Sequence, residues 1–324
     1  MPAKAKRGAL RTEEMLGGYV DHLMRFAEGL KPKKLVLDAA NGMAGLILPK
    51  LAERLKKVGI ELTPMFWELD GNFPNHEANP LKPDVMEIAA KAVRAAIPKY
   101  DAAGSFDGDG DRCAFVDETG VPIPNDLMTA VLARWLLRTH PGAAMVYDLR
   151  SSWVVPETIA ESGARAADAR RPFLHQGNDA PGEGLLRRRA LGALLLARAF
   201  LLRFGARDAR ARPRSAERER RPLSELVRDL RRYHATGEIN FEVADKAGAM
   251  AGLEKRFGKE ATRMDDLDGI TIEFGSVAKK PWWWFNVRPS NTEPLLRLNL
   301  EASDAALCEE KKALLVSILG KPVH

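Results

Sequence analysis

Two short loops in this 324-residue chain carry residue types that do chemistry. The first is Phe106-Asp107-Gly108-Asp109-Gly110-Asp111-Arg112. Glycine lets a backbone turn tightly enough for Asp107, Asp109 and Asp111 to converge on one centre. Three converging carboxylates repel one another unless a cation lies between them, and oxygen-only donors suit a hard ion, Mg²⁺ before Mn²⁺ or Ca²⁺. The loop is too short for an EF-hand and lacks its twelfth-position Glu. The plainer alternative is an acidic surface turn. Arg112 stands beside the carboxylates, where it would take a phosphoryl oxygen or pair with Asp111.

The second loop is Asn286-Val287-Arg288-Pro289-Ser290-Asn291-Thr292-Glu293-Pro294. Arg288, Ser290, Asn291 and Thr292 offer a guanidinium fork, two hydroxyls and an amide, a set that clamps a non-transferring phosphate. Pro289 and Pro294 stiffen its ends. Arg297 lies just beyond and is expected to assist. The alternative is a polar turn between strands. Of Trp282, Trp283 and Trp284, one or more should be core, while an exposed pair would stack a sugar. Together the loops point to metal-assisted phosphoryl transfer on a small phosphorylated substrate.

The elements that must position these loops follow from periodicity. Helices are predicted over Thr12–Leu30, Leu46–Val58, Asp84–Ile97, Asn125–Thr139 (capped by Asn125), Trp153–Ser162, Asp245–Phe257 and Asp304–Leu319, with a further amphipathic turn through Leu223, Leu226, Val227 and Leu230. Strands are predicted over Lys34–Ala39, Ile60–Met65, Tyr100–Phe106, Cys113–Val116, Ala144–Asp148, Gly163–Ala167, Ile239–Val243, Ile270–Phe274, Trp282–Phe285 and Leu295–Leu300. The strand–loop–helix–strand opening argues for an α/β fold with a mostly parallel sheet, and the end of the chain for a small α+β domain.

Length allows two or three domains. No apolar run reaches membrane-spanning length, and the basic start Met1–Arg7 has no apolar signal core. Cys113 and Cys308 are too few for a disulfide framework, which fits a reducing, cytoplasmic setting. The net charge of +6 suggests nucleic acid only until its distribution is read. The window Arg171–Arg221 holds 13 Arg and five carboxylates, a local +8 that leaves −2 for the rest. No nucleic-acid partner is expected.

The chain resembles bacterial phosphomannomutase/phosphoglucomutase of the α-D-phosphohexomutase superfamily. Asp107–Arg112 is similar to that family's metal loop and Arg288–Pro294 to its C-terminal phosphate loop. Asp38-Ala-Ala-Asn-Gly-Met-Ala-Gly45, Asp70-Gly-Asn-Phe-Pro-Asn-His76 and Gly237-Glu-Ile-Asn-Phe241 resemble further signatures. The resemblance is close from about Tyr19 to Ala167 and from Arg221 to Ala302. It implies phosphohexomutase-type mixed-sheet domains plus a C-terminal α+β domain, divided at 1–30 (remnant helix), 31–140 (metal loop), 141–235 (sugar recognition) and 236–324 (phosphate binding). It implies Mg²⁺ on Asp107, Asp109 and Asp111, a hexose phosphate ligand, and phosphoryl transfer between its 1- and 6-positions through a phosphoserine.

Two departures accompany the resemblance. The family's phosphoserine loop, a Thr/Ser-Ala-Ser-His-Asn-Pro stretch, has no match in these 324 residues, so no residue is assigned as the nucleophile. The sugar loop, Gly-Glu-x-Ser-Gly/Ala-His, has none either; Pro181-Gly182-Glu183-Gly184 lacks the Ser and His. The chain alone is therefore expected to be inactive, to persist as a phosphosugar- and Mg-binding fragment, or to be completed by a separate N-terminal chain. The Arg-rich window is expected to pack poorly, as a shifted reading frame over about 170–219 or as a lineage-specific insertion; the coding DNA distinguishes them.

Overall fold

The computed structural model describes residues 10–27, 32–97, 99–143, 145–148, 150–164, 166–168, 221–290 and 293–323. The window 171–219 lies outside the described residues. Among the described residues, 10–122 form one compact unit, and 123–168 together with 224–323 form a second.

The first unit is built on a five-stranded sheet of order β2-β1-β3-β4-β5, from β1 (Lys33–Asp38), β2 (Ile60–Met65), β3 (Ala102–Phe106), β4 (Cys113–Asp117) and β5 (Pro122–Ile123). β1 runs parallel to β2 and β3, and β4 returns antiparallel to β3. Leu35, Val36 and Leu37 are consecutive and all buried, as a parallel strand covered on both faces requires. α2 (Ala44–Lys56) buries Leu48, Leu51 and Leu55 along one face. α3 (Pro83–Arg94) starts with Pro at its first position and packs Met86, Ala89, Ala90 and Val93 against Val36, Ala103 and Val116.

The first helix departs from the sequence expectation. α1 is Leu16–Met24 rather than Thr12–Leu30. The Glu14 carboxylate accepts from the Leu16 N–H at 2.9 Å and so fixes the start, while Gly17 and Gly18 lower the helix propensity of the first turn. Asn125 does not cap α4 (Asn125–Thr139) either: it is the first helical residue, Pro124 holds the capping position, and no side chain caps.

In the second unit α4, α5 (Val154–Glu161) and a parallel pair of β6 (Met145–Tyr147) and β7 (Ala166–Asp168) precede the short helix α6 (Leu223–Arg228). A six-stranded sheet follows, order β13-β8-β12-β11-β10-β9 and antiparallel throughout. Its strands are β8 (His234–Glu242), β9 (Arg263–Asp265), β10 (Ile270–Ser276), β11 (Lys279–Pro289), β12 (Leu295–Ala302) and β13 (Pro322–Val323). With α7 (Lys246–Phe257) and α8 (Ala305–Leu319) it makes the expected α+β assembly. The core gathers Phe241, Phe257, Trp283, Phe285, Leu296 and Leu298.

The three tryptophans of β11 are all buried, so no exposed pair is offered to a sugar. β11 lies between β10 and β12 and is covered on both faces, which leaves its alternating side chains no route to solvent. Trp283 stacks on Phe274 at 4.1 Å, Trp282 meets the Tyr233 ring edge-on at 4.6 Å, and Trp284 donates its Nε1–H to Glu301 at 3.0 Å.

Candidate metal and phosphate sites

The acidic loop leaves the carboxyl end of β3. One carboxylate oxygen from each of Asp107, Asp109 and Asp111 lies within 4.8 Å of the others. Asp107 is buried, the other two exposed. A turn closes the loop: Gly110 donates its N–H to the Asp107 carbonyl at 3.2 Å and adopts a φ of +74°, where a side chain would be strained. Arg112 clasps Asp107, its backbone N–H on Oδ1 at 2.9 Å and its Nε on Oδ2 at 2.6 Å; its contact with Asp111 is longer, 3.6 Å. The predicted Arg112–Asp111 pair is thus secondary to Arg112–Asp107.

Burial, followed by a hydrogen bond and charge repulsion from Asp107, pushes the Asp111 carboxyl above its ordinary range. A divalent cation among the three oxygens would relieve that repulsion. The donor set, all oxygen and part exposed, fits a hard cation.

Two neighbouring loops seat this one. Met43 N–H donates to the Gly108 carbonyl at 2.8 Å, and a Cβ on Gly42 would stand 2.5 Å from that oxygen, so only glycine allows the approach. The Phe73 ring also lies against Gly108, 3.1 Å from where a Cβ would stand. Ala40, Asn41, Phe66 and Phe73 all have positive φ, between 49° and 57°. Four non-glycine residues held in this sparsely populated region mark a site whose surroundings over-determine its backbone.

Ser105, the serine nearest the acidic loop in sequence, is fully buried and donates to Asp38 Oδ2 at 2.9 Å. It is directed into the protein rather than towards a substrate.

In the second unit, β11 and β12 place Arg288 directly opposite Arg297. Like charges so paired are unfavourable unless a counter-charge bridges them. Glu238 of β8 does so, at 3.1 Å from Arg288 Nη2 and 3.3 Å from Arg297 Nη1. Arg297 also binds Glu293 at 2.7 Å. Among the described residues the buried Nε atoms of Arg288 and Arg297 have no hydrogen-bond partner, leaving donors unspent. Burial, then the charge of Arg150, pulls the Arg288 guanidinium below its ordinary value. Ser290 is buried, its N–H on the Leu295 carbonyl at 2.8 Å and its Oγ accepting from Glu293 N–H at 3.3 Å. Asn291 and Thr292 lie outside the described residues.

Two participants escaped the sequence reading. Glu238 was visible only as part of the Gly237–Phe241 signature. Arg150 sits 3.7 Å from Glu238 and is aimed by Asp148, which takes its Nε at 2.9 Å and its Nη2 at 3.3 Å. The signal was Asp148-Leu149-Arg150 at the end of a strand.

The chain matches two family models: phosphoglucomutase/phosphomannomutase, alpha/beta/alpha domain II, over residues 17–120, and the phosphoglucomutase/phosphomannomutase C-terminal domain over 238–316. It is 33% identical over 335 residues to a phosphomannomutase of Salmonella typhimurium, covering 98% of this chain and 70% of the relative. To the phosphohexose mutases protein of Xanthomonas campestris it is 35% identical over 312 residues, covering 93% and 66%. The chain thus spans about two thirds of the length of these relatives. In fold it is similar to a phosphoglucomutase/phosphomannomutase family protein from Burkholderia thailandensis, with TM-score 0.68, 24% identity, and coverage of 94% of this chain and 65% of the other. An N-acetylphosphoglucosamine mutase of Aspergillus fumigatus, solved with GlcNAc-6P and magnesium, gives TM-score 0.56 at 14% identity, covering 94% and 70%. The chain belongs to the phosphoglucomutase/phosphomannomutase family, within the α-D-phosphohexomutase superfamily. Among the described residues no helix is long and apolar enough to cross a membrane.

Proposed function

We propose that this chain supplies the metal-binding and phosphate-binding parts of a cytoplasmic phosphohexomutase, which moves a phosphoryl group between the 1- and 6-positions of a hexose phosphate. The observation that carries this reading is the convergence of Asp107, Asp109 and Asp111 within 4.8 Å on one loop. These three residues would hold Mg²⁺, the ion named with the Aspergillus mutase. Bound there, the ion would neutralise phosphoryl oxygens during transfer. Arg288, Ser290, Asn291 and Thr292, with Arg297, would bind the phosphate that is not being transferred, and Arg112 would meet the phosphoryl group beside the metal. The chain's own contribution is positioning and fixed charge, the two effects on which phosphoryl transfer depends most.

Calorimetric titration with Mg²⁺ tests the first site. Wild type is expected to bind one ion per chain and Asp109→Asn to bind far more weakly; equal affinities would remove the metal assignment. Phosphate titration tests the second. Arg288→Ala gives up charge-assisted hydrogen bonds worth about 1.5–3 kcal/mol, so affinity is expected to fall about tenfold or more. A control at exposed Arg11 should leave it unchanged. If both variants bind phosphate equally, the loop is a turn and nothing more.

A further inference from the structure

The signatures Asp38–Gly45 and Asp70–His76 are absorbed by neither the metal nor the phosphate assignment, yet they meet behind the metal loop. Asp38, at the end of β1, has no exposed surface. Its Oδ1 accepts from Ala40 N–H at 2.8 Å, and its Oδ2 from Ser105 Oγ at 2.9 Å. His76 Nε2 stands 3.0 Å from the same Oδ2, with its side chain only 5% exposed and its ring edge-on to Phe66. The other ring nitrogen, Nδ1, stands 2.8 Å from the Glu77 carbonyl oxygen. The Glu77 carboxylate is engaged by Lys82 at 2.5 Å.

The ring thus bridges buried Asp38 and the backbone of its own loop, one nitrogen on each. A contact so enclosed holds its members firmly, because removing the ring would leave a buried carboxylate oxygen short of a partner.

What the pair holds is the base of the metal loop. Ser105 is the penultimate residue of β3, two before Asp107, and its hydroxyl ties that strand end to Asp38. The loop after β2, which carries His76, is bound to the loop after β1 through Asn75 Nδ2 on Asn41 Oδ1 at 2.8 Å, Asn41 Nδ2 on the Glu68 carbonyl at 2.9 Å, and Asp70 N–H on the Asn41 carbonyl at 3.0 Å. That loop in turn donates from Met43 to Gly108, between the first two aspartates.

We propose that His76 is a positioning residue for the metal site: by bridging Asp38 and the Glu77 carbonyl it locks three loops, and thereby the spacing of Asp107, Asp109 and Asp111. This rests on the metal reading above. Groups hydrogen-bonded directly to metal ligands alter metal affinity about 10–100-fold when removed; His76 acts one contact further out, so the lower end of that range is expected.

The test uses Mn²⁺ alone as probe, counting free ion by electron paramagnetic resonance. His76→Leu should weaken Mn²⁺ about tenfold or more per folded molecule. His76→Gln, which retains one donor for Asp38 and loses the other, should fall between; that graded rescue is not what a general loss of folding produces. If His76→Leu does not fold, His76→Gln against wild type carries the test. Asp109→Asn separates the readings. If it binds Mn²⁺ like wild type, the metal assignment fails. If it loses Mn²⁺ while His76→Gln and His76→Leu do not, the proposal for His76 alone is overturned.

Discussion

Assayed by itself with Mg²⁺, a hexose bisphosphate and either mannose 1-phosphate or glucose 1-phosphate, this 324-residue chain is expected to show no turnover above a host-enzyme blank. The transfer requires an oxygen nucleophile that can accept and return a phosphoryl group in front of the metal. The serine best placed in sequence is Ser105, and the structure spends its hydroxyl on Asp38 with no exposed surface. Fixed charges can bind a phosphate without storing one. A coupled assay decides the matter. Turnover that survives removal of host mutase, and is lost in Ser105→Ala, would overturn both the prediction and the structural role given to Ser105.

The second large effect concerns Glu301 of β12, which is 2% exposed. Its Oε2 accepts from Trp153 N–H at 2.9 Å and Trp284 Nε1–H at 3.0 Å, which fastens the start of α5 to the antiparallel sheet. Burial outweighs the hydrogen bonds from Ser152, Trp153 and Trp284 and raises the carboxyl from 4.5 to about 7. A folded-state value above the unfolded one means that the folded unit holds the extra proton. Its contribution is complete below about pH 4.5 and disappears as pH rises through 7. At 1.36 kcal/mol per unit the full swing is about 3 kcal/mol. Urea unfolding of wild type and Glu301→Gln at pH 5, 6, 7 and 8 should therefore diverge, the Gln variant gaining on wild type as pH rises. Parallel profiles would show that Glu301 titrates alike in folded and unfolded chains.

What could be read from the sequence was what is local in the chain. β2 was read with its observed ends, and α3, α4, α7 and α8 to within a few residues, because each carries its own apolar period and its own stop signals. The acidic loop was legible for the same reason, since five consecutive positions bring all three carboxylates together. β9 and β13 were not, being two or three residues long and existing only through the strands they pair with. Nor were the ion pair and the hydrogen bond that organise the two sites. Glu238 reaches Arg288 across 50 positions and Ser105 reaches Asp38 across 67. No spacing rule spans such distances. The burial of all three tryptophans was likewise a matter of which strands flank β11 rather than of its own residues.

The buried trio at the end of β1 also bears on how the first sheet finds its alignment. Asp38 is registered with Ser105 on one side and Met65 on the other. The rest of β3 is Ala102, Ala103, Gly104 and Phe106, mostly small residues that discriminate weakly between neighbouring registers. A slip of one position would set Gly104 or Phe106 beside Asp38, and a buried carboxylate would lose its hydroxyl partner, at a cost of about 1–3 kcal/mol or more. One polar side chain thus acts as a key for strand pairing. A misaligned sheet is penalised where its apolar residues would have tolerated it, so the chain need not rely on shape alone to bring three loops to the same place.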